Sequence, residues 1–278
     1  GATSFKDQRV FKTSKMKNFL VIGNPIEHSL SPKLHNYWIK INNLNAIYNK
    51  KKLEISELEI LIKDVRERKI DGINVTVPFK NNIIPFLDKL SSEAEKTQSV
   101  NTIYLKDDIV VGHNTDIEGF ELAIKNIKYD VTGKKILLLG AGGVSPSIVL
   151  ALSKMRANKI LISNRTQSKA ENLKKIFKEI EIVEWGAIPN FDMIINATSL
   201  GLKDNENINI DYSKVGSGKL FYDVIYNPSE TKFLKSAKKN GNKTENGKKM
   251  FVYQAQASFK IWNNLVPEID EDVMELLN

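Results

Sequence analysis

The stretch Lys134–Thr166 restricts the fold of this chain more than any other. It opens on an apolar run, Ile136-Leu137-Leu138-Leu139, short and continuous enough to be a strand buried on both faces. Gly140-Ala141-Gly142-Gly143 follows at once, and Val144 to Leu152 then reads as a helix. Pro146 is tolerated in its first turn, where the missing N–H has no intrahelical partner anyway. A second apolar run, Ile160-Leu161-Ile162, ends in Ser163-Asn164-Arg165-Thr166. Strand, glycine turn, helix and second strand make the first βαβ unit of a dinucleotide-binding fold. The glycines let backbone N–H groups close on a pyrophosphate at the helix N-terminus. Ser145 stands where the third glycine of the fingerprint is expected, which weakens the match, while the strand–turn–helix context supports it. The run Ile136–Ser153 is uncharged over about the length of a minimal membrane span, but three glycines, a proline and three serines inside it argue against a span.

The end of the second strand distinguishes between nucleotides. An NAD site places an Asp or Glu there for the ribose 2′-OH, whereas a 2′-phosphate is suited by an Arg. This chain has Asn164-Arg165-Thr166, with Lys169 one turn on and no acid before Glu171. The sign of the charge favours NADP over NAD; the plainer alternative is a solvated start to a helix over 166–179.

With 278 residues the chain can hold one or two domains, and its 41% apolar and 27% charged content is that of a globular protein. The net charge of +8 comes from 41 basic and 33 acidic residues whose lysines are scattered in pairs. An anionic small molecule or cofactor explains that sign as well as nucleic acid would, and no nucleic-acid or membrane partner is expected. Absence of cysteine excludes a disulfide scaffold and a thiol nucleophile, and with three histidines no metal site is expected. Residues 1–15 lack the apolar core of a secretory signal and read as a processing remnant or an added extension, with Met16 as the natural start. The expected location is cytoplasmic.

Along the chain, Phe19–Gly23 reads as a buried strand and Ser31-Pro32 as the N-cap and first residue of a helix through Ile41. His28 is expected to be structural. A helix over Glu57–Arg68 carries an apolar stripe at Leu58, Leu61, Ile62 and Val65. Asp71–Pro78 reads as a strand stopped by Pro78, with Asn74 and Thr76 on one face and Lys80 just beyond. Ligands in open α/β sheets bind at such strand ends, although an edge strand with a wet face would show the same pattern. Ser99–Tyr104 and Ile109–Val111 read as paired strands around a turn, with His113 on the surface. Asp116, whose plainest use is an N-cap, opens a helix through Asn126. Further strands are expected at Phe191–Asn196 and Leu220–Tyr226, helices near 230–240, 250–264 and 270–277, and an irregular loop over Leu202–Gly218.

Together these stretches resemble shikimate dehydrogenase, the NADPH-dependent reductase of 3-dehydroshikimate in aromatic amino-acid synthesis. The resemblance runs from Met16 onward and keeps its order. It rests on Gly23-Asn-Pro-Ile-Glu-His-Ser-Leu-Ser-Pro32, Asn74-Val-Thr-Val-Pro-Phe-Lys80, Val100-Asn-Thr102 and Asn114-Thr-Asp116. Downstream it adds Gly140-Ala-Gly-Gly143, Asn164-Arg-Thr166, Asn196-Ala-Thr-Ser199, Tyr222-Asp-Val-Ile-Tyr226 and Met250-Phe-Val-Tyr-Gln254.

The resemblance implies an α/β protein of two domains with a cleft between them. A substrate-binding domain of residues 16–115 and 247–278 would flank a Rossmann NADP-binding domain of residues 116–246. Ser29 and Ser31 would hold the substrate carboxylate. Thr76, Asn101 and Gln254 would contact ring hydroxyls, with Tyr226 near the substrate, and Lys80 and Asp116 would form the catalytic pair. The turn Gly140, Ala141, Gly142, Gly143 and Val144 would hold NADP together with Asn164, Arg165, Thr166, Val224 and Gly247, while Lys169 adds charge. Three places depart from the family pattern: the pair Ile117-Glu118, Pro146 where a basic residue is frequent, and Lys249 where a glycine is common.

The implied chemistry agrees with the residues. Hydride transfer to a ketone leaves an oxyanion that must gain a proton, which a positioned lysine can donate while stabilising the charge. Small-molecule ligands, shikimate and 3-dehydroshikimate, are the expected partners of a monomer or homodimer. The rivals are a quinate/shikimate dehydrogenase, possible with NAD, and a non-catalytic NADP-binding regulator. Loss of Lys80 or Asp116 would mark the regulator, and both are present.

Overall fold

The computed structural model describes residues 15–278, and the apolar runs pair there into two six-stranded sheets, each in its own compact unit. The expected N-terminal extension, apart from Lys15, lies outside the described residues. The first unit takes the chain through Ser91, then Val100–His113 and Ser258–Leu277; the second takes Ser92–Ser99 and Asn114–Ala257. The helix Lys248–Asn263 is thus shared, its residues through Ala257 counting with the second unit and those from Ser258 with the first.

In the first unit the strands are β1 (Lys17–Gly23), β2 (Ala46–Lys52), β3 (Gly72–Val75), β4 (Lys89–Leu90), β5 (Thr102–Lys106) and β6 (Ile109–His113), in the order β2-β1-β3-β5-β6-β4. β1 pairs in parallel with β2 and β3, whereas β5 runs antiparallel to both β3 and β6. The β5–β6 turn sets Asp107 and Asp108 at φ 52° and 64°, the positive values that a two-residue hairpin of the right twist demands. β3 is flanked on both sides, so the edge-strand alternative is excluded, and Asn74 is only 6% exposed. β3 also ends at Val75, three residues before Pro78.

The helix Ser31–Ile41 buries Leu34, His35, Trp38 and Ile39, and Leu58–Arg66 buries the four stripe residues. Ser31 is not its cap: Leu30 holds that position, and the Ser29 Oγ accepts the Ser31 N–H at 3.3 Å. His113 is half-buried rather than on the surface, its Nδ1 sharing a 2.6 Å hydrogen bond with the Ser91 hydroxyl.

In the second unit β7 (Lys135–Leu139), β8 (Lys159–Ser163), β9 (Glu181–Ile182), β10 (Met193–Asn196), β11 (Leu220–Asp223) and β12 (Lys243–Glu245) are all parallel, in the order β9-β8-β7-β10-β11-β12. This is the strand order of a dinucleotide-binding sheet, which reverses direction between β7 and β10. Ile136 and Leu138 pack in one apolar core and Leu137 and Leu139 in another, one on each face, which is why β7 reads as an unbroken apolar run. The helices Ser145–Lys154 and Gln167–Ile176 follow β7 and β8, the latter ending short of 179. β10 begins two residues after Phe191, and β11 stops at Asp223, before Tyr226. Asp116 is the first residue of the helix Asp116–Asn126 and not its cap, which is Thr115; the Asn114 Oδ1 accepts the Asp116 N–H at 2.9 Å. Among the described residues no helix is long and apolar enough to cross a membrane.

Candidate functional site

The first unit gathers Ser29, Ser31, Thr76, Lys80 and Asn101 around the carboxyl ends of β1 and β3 and the start of β5. β1 ends at Gly23, and the loop beyond it carries Ser29, half-buried, and leads into Ser31, 6% exposed, the first residue of the next helix. Thr76 follows β3 directly. Its N–H and its hydroxyl both donate to the Ile22 carbonyl, at 2.9 Å and 2.7 Å, so the residue stays in line with β1 after the ladder has ended. Lys80 sits in the one-turn helix Phe79–Asn82, whose Phe79 is buried as an anchor; the Lys80 carbonyl accepts the Val100 N–H at 2.8 Å. That bond ties the lysine to the segment carrying Asn101, which is 3% exposed. The Asn101 carbonyl accepts the Val75 N–H at 2.8 Å, and its own N–H donates to the His113 carbonyl at 3.1 Å.

In the second unit the glycine turn lies at the point where the strand order reverses. Gly140 has φ +112°, open to glycine and strained for other residues, and a Cβ there would stand 3.0 Å from the Ala197 carbonyl at the end of β10. The Gly140 N–H donates to Ser163 O at 2.8 Å, and its carbonyl accepts the Ser145 hydroxyl at 2.9 Å. Ser145, the residue that replaces the third glycine, is fully buried and closes the turn from inside. Asn164 Oδ1 accepts the Ala141 N–H at 3.2 Å, and its Nδ2 donates to Thr166 O at 2.9 Å, so Asn164 braces the end of β8 against the turn. Gly142 and Gly143 are exposed, Val144 caps the helix, and nothing lies within 4 Å of a Cβ built on Gly142. Backbone, and no side chain, therefore fronts the open side of the turn.

Arg165, Thr166 and Lys169 are exposed, Thr166 as N-cap of its helix and Lys169 in the first turn. The Arg165 guanidinium carbon lies 5.9 Å from the Trp185 ring centroid, within range of a cation–π contact. Both residues line a cavity of about 150 Å³ with Leu139, Ile188 and Ile208. Trp185 went unread in the sequence because it follows β9, a strand too short to show any period.

At the ends of β10 and β11 a polar cluster holds the two following loops. Asp223, with no exposed surface, accepts from Asn196 Nδ2 at 3.1 Å, the Ile225 N–H at 3.0 Å and the Thr231 hydroxyl at 2.6 Å. Burial nevertheless pushes its carboxyl up from 3.8 to about 6, against the three donors that lower it. Beyond it, Val224 donates its N–H to Asn196 O at 2.9 Å, and Tyr226 packs on Phe251 at 4.8 Å between ring centroids. Gly247 touches this loop so closely that a Cβ would stand 1.8 Å from Val224 O. Gln254 lies half-buried in the helix Lys248–Asn263, its Nε2 donating to Phe251 O at 2.8 Å and its carbonyl accepting the Thr115 hydroxyl at 3.0 Å. That second bond holds the segment that presents Asp116, which is 6% exposed. Asn114 adds to it by donating to Thr97 Oγ1, Ser99 O and Ser147 Oγ.

The second unit thus has the strand order, the open glycine backbone at the reversal point and the basic strand end that fit a phosphorylated dinucleotide. Among the described residues no group of three or more His, Cys, Asp or Glu could hold a metal. Residues 21–103 match the shikimate dehydrogenase substrate binding domain, and residues 121–217 match the shikimate/quinate 5-dehydrogenase family. The chain is 60% identical over 262 residues to the shikimate dehydrogenase (NADP(+)) of Pelagibacter ubique, covering 94% of this chain and 99% of that one. Among solved structures, the shikimate dehydrogenase of Aquifex aeolicus is 36% identical with a TM-score of 0.84, over 94% of this chain and 97% of that one. The Thermus thermophilus shikimate 5-dehydrogenase in complex with NADP(H) and shikimate is 30% identical with a TM-score of 0.85, over 94% and 98%.

Proposed function

We propose that this chain, which belongs to the shikimate dehydrogenase family, catalyses the reversible NADPH-dependent reduction of 3-dehydroshikimate to shikimate in aromatic amino-acid biosynthesis. The observation that carries the reading is the 60% identity to a shikimate dehydrogenase (NADP(+)) over 94% of the chain. The basic end of β8 supports the choice of NADP. Its 2′-phosphate is met by the planar fork of Arg165, with Asn164 and Thr166 shaping the turn and Lys169 adding charge. The backbone of Gly140, Ala141, Gly142, Gly143 and Val144 receives the pyrophosphate, and Val224 and Gly247 line the rest of the cofactor path.

When bound, NADPH would supply the hydride chemistry at the substrate carbonyl carbon. The protein supplies everything else. Ser29 and Ser31 hold the substrate carboxylate, and Thr76, Asn101 and Gln254 hold ring hydroxyls, with Tyr226 beside them. Lys80 donates a proton to the carbonyl oxygen as negative charge develops there, and takes it back in the reverse direction. Asp116 accepts a hydrogen bond from a substrate hydroxyl. The substrate-binding role belongs to the pieces 16–115 and 247–278 and the NADP-binding role to 116–246. The protein acts in the cytoplasm as a monomer or homodimer on these small molecules alone, without nucleic acid, membrane or metal.

The test is NADPH absorbance with shikimate and then quinate, under NADP and then NAD. Turnover of shikimate with NADP is expected, and failure of all four combinations would overturn the reading in favour of a non-catalytic regulator. Lys80→Ala should lower turnover about 10²–10⁴-fold, the usual worth of general acid–base catalysis, and leave shikimate affinity much less changed. A folded Lys80→Ala protein with normal turnover would remove the lysine from the mechanism.

A further inference from the structure

A chain of buried hydrogen bonds inside the first unit joins Tyr48 to Asn101, and counting protons gives it a direction. The Tyr48 hydroxyl donates to Asn74 Oδ1 at 2.7 Å. Asn74 Nδ2 has two protons to give; one goes to the Asn101 carbonyl at 3.1 Å and the other to Ser258 Oγ at 3.1 Å. A longer approach from the same nitrogen to Thr102 Oγ1, at 3.4 Å, is the weaker alternative. Thr102 donates its single proton to Asn101 Oδ1 at 2.9 Å. The 2.8 Å contact between the Thr102 and Ser258 hydroxyls can then be a hydrogen bond only if Ser258 is the donor.

Tyr48, Asn74, Asn101, Thr102 and Ser258 are each at most 6% exposed. Water cannot replace a lost partner there, so each bond holds the next in its orientation. The path also joins distant parts of the sequence, since Ser258 and Thr102 are 156 residues apart.

We propose that Thr102 and Ser258 are positioning residues for substrate recognition. They lock the Asn101 amide with its oxygen turned toward Thr102, so that Asn101 meets a ring hydroxyl through its nitrogen, as a donor. The inference rests on the proposed reading that Asn101 contacts the substrate. Tyr48 and Asn74 extend the same polar scaffold from Asn101 into β2.

The experiment compares wild type, Thr102→Val, Thr102→Ser and Ser258→Ala. Valine keeps the shape of threonine and removes the hydroxyl, whereas serine keeps the hydroxyl. Shikimate affinity is measured by calorimetry without cofactor, and KM and kcat are measured in the steady state. Thr102→Val should raise the shikimate Kd and KM by about tenfold, the effect of one lost hydrogen bond and a misoriented partner. The KM for NADP and kcat should stay within about twofold, and Thr102→Ser should bind like wild type. Ser258→Ala should weaken shikimate in the same direction, and it carries the comparison alone if Thr102→Val does not fold. Wild-type affinity in Thr102→Val and Ser258→Ala would overturn the inference. So would a Thr102→Ser protein as impaired as Thr102→Val, or a parallel rise in the KM for NADP. A wild-type protein that neither binds nor turns over shikimate would instead overturn the proposed function on which the inference rests.

Discussion

Replacing His35 by a neutral residue should remove much of the acid sensitivity of the first unit. The His35 ring is 1% exposed, stacked on Tyr48 at 4.3 Å and 8°, and edge-on to Trp38 at 5.6 Å. Phe259 and Trp262 complete the box, and its Nε2 has no hydrogen-bond partner. Of these neighbours only Tyr48 titrates, and burial pushes that phenol upward, so it stays neutral. Desolvation alone lowers the His35 pKa from 6.5 to about 3. A group depressed in this way contributes stability that is present above its unfolded pKa and lost as pH falls, here between 6.5 and about 3. Linkage over that window gives a loss of about 2 kcal/mol at pH 5 and about 4 kcal/mol by pH 3.

The assay is urea unfolding at about pH 7.5 and about pH 5, in wild type, His35→Phe and His35→Gln. A Trp185→Phe background leaves Trp38 and Trp262 as the fluorophores, both in the first unit. Whatever the substitutions cost at neutral pH, the acid-induced loss should be smaller in both variants by about 2 kcal/mol. Identical losses in wild type and variants would refute the argument, because the imidazole would then be protonated in the folded state without penalty.

Arg165→Asp should weaken NADP and bring NAD toward parity, since the new carboxylate repels a 2′-phosphate and accepts from a ribose hydroxyl; an unchanged ratio of kcat/KM for the two cofactors would move the preference to another loop. Asp223 should act opposite to His35. Its folded pKa of about 6 lies above the 3.8 of the free group, so its stabilising effect is complete below pH 3.8 and lost as pH rises through about 6. Wild type should therefore gain about 1 kcal/mol over Asp223→Asn between pH 7.5 and pH 5, read by Trp185 fluorescence in the second unit, and equal pH profiles would refute it. Gly247→Ala should lower both Tm and NADP affinity, because its Cβ would meet Val224 O at 1.8 Å and that neighbour is backbone; a wild-type melting curve would show that the loop gives way freely.

The second sheet was legible in the sequence because parallel strands covered on both faces must be apolar at every position. Ile136–Leu139 and Ile160–Ile162 meet that requirement locally, and so does most of Leu220–Asp223. The glycine turn was legible for a similar reason: the positive φ at Gly140 asks for one residue type at one place. β2 was not legible, since Tyr48 is its one buried side chain among exposed lysines, and the two-residue strands β4 and β9 exist only because a neighbouring strand offers them a ladder. Ser31 and Asp116 carry the local chemistry of caps, yet both became first helical residues once the Ser29 and Asn114 side chains took up their N–H groups. Tertiary structure alone decided that Asn74 is buried, that Trp185 lies beside Arg165, and that Ser258 reaches Thr102 across 156 residues. Apolar burial leaves a period in the sequence because it follows the geometry of each element. A buried polar group needs one partner at hydrogen-bond distance, and the chain can supply it from any separation.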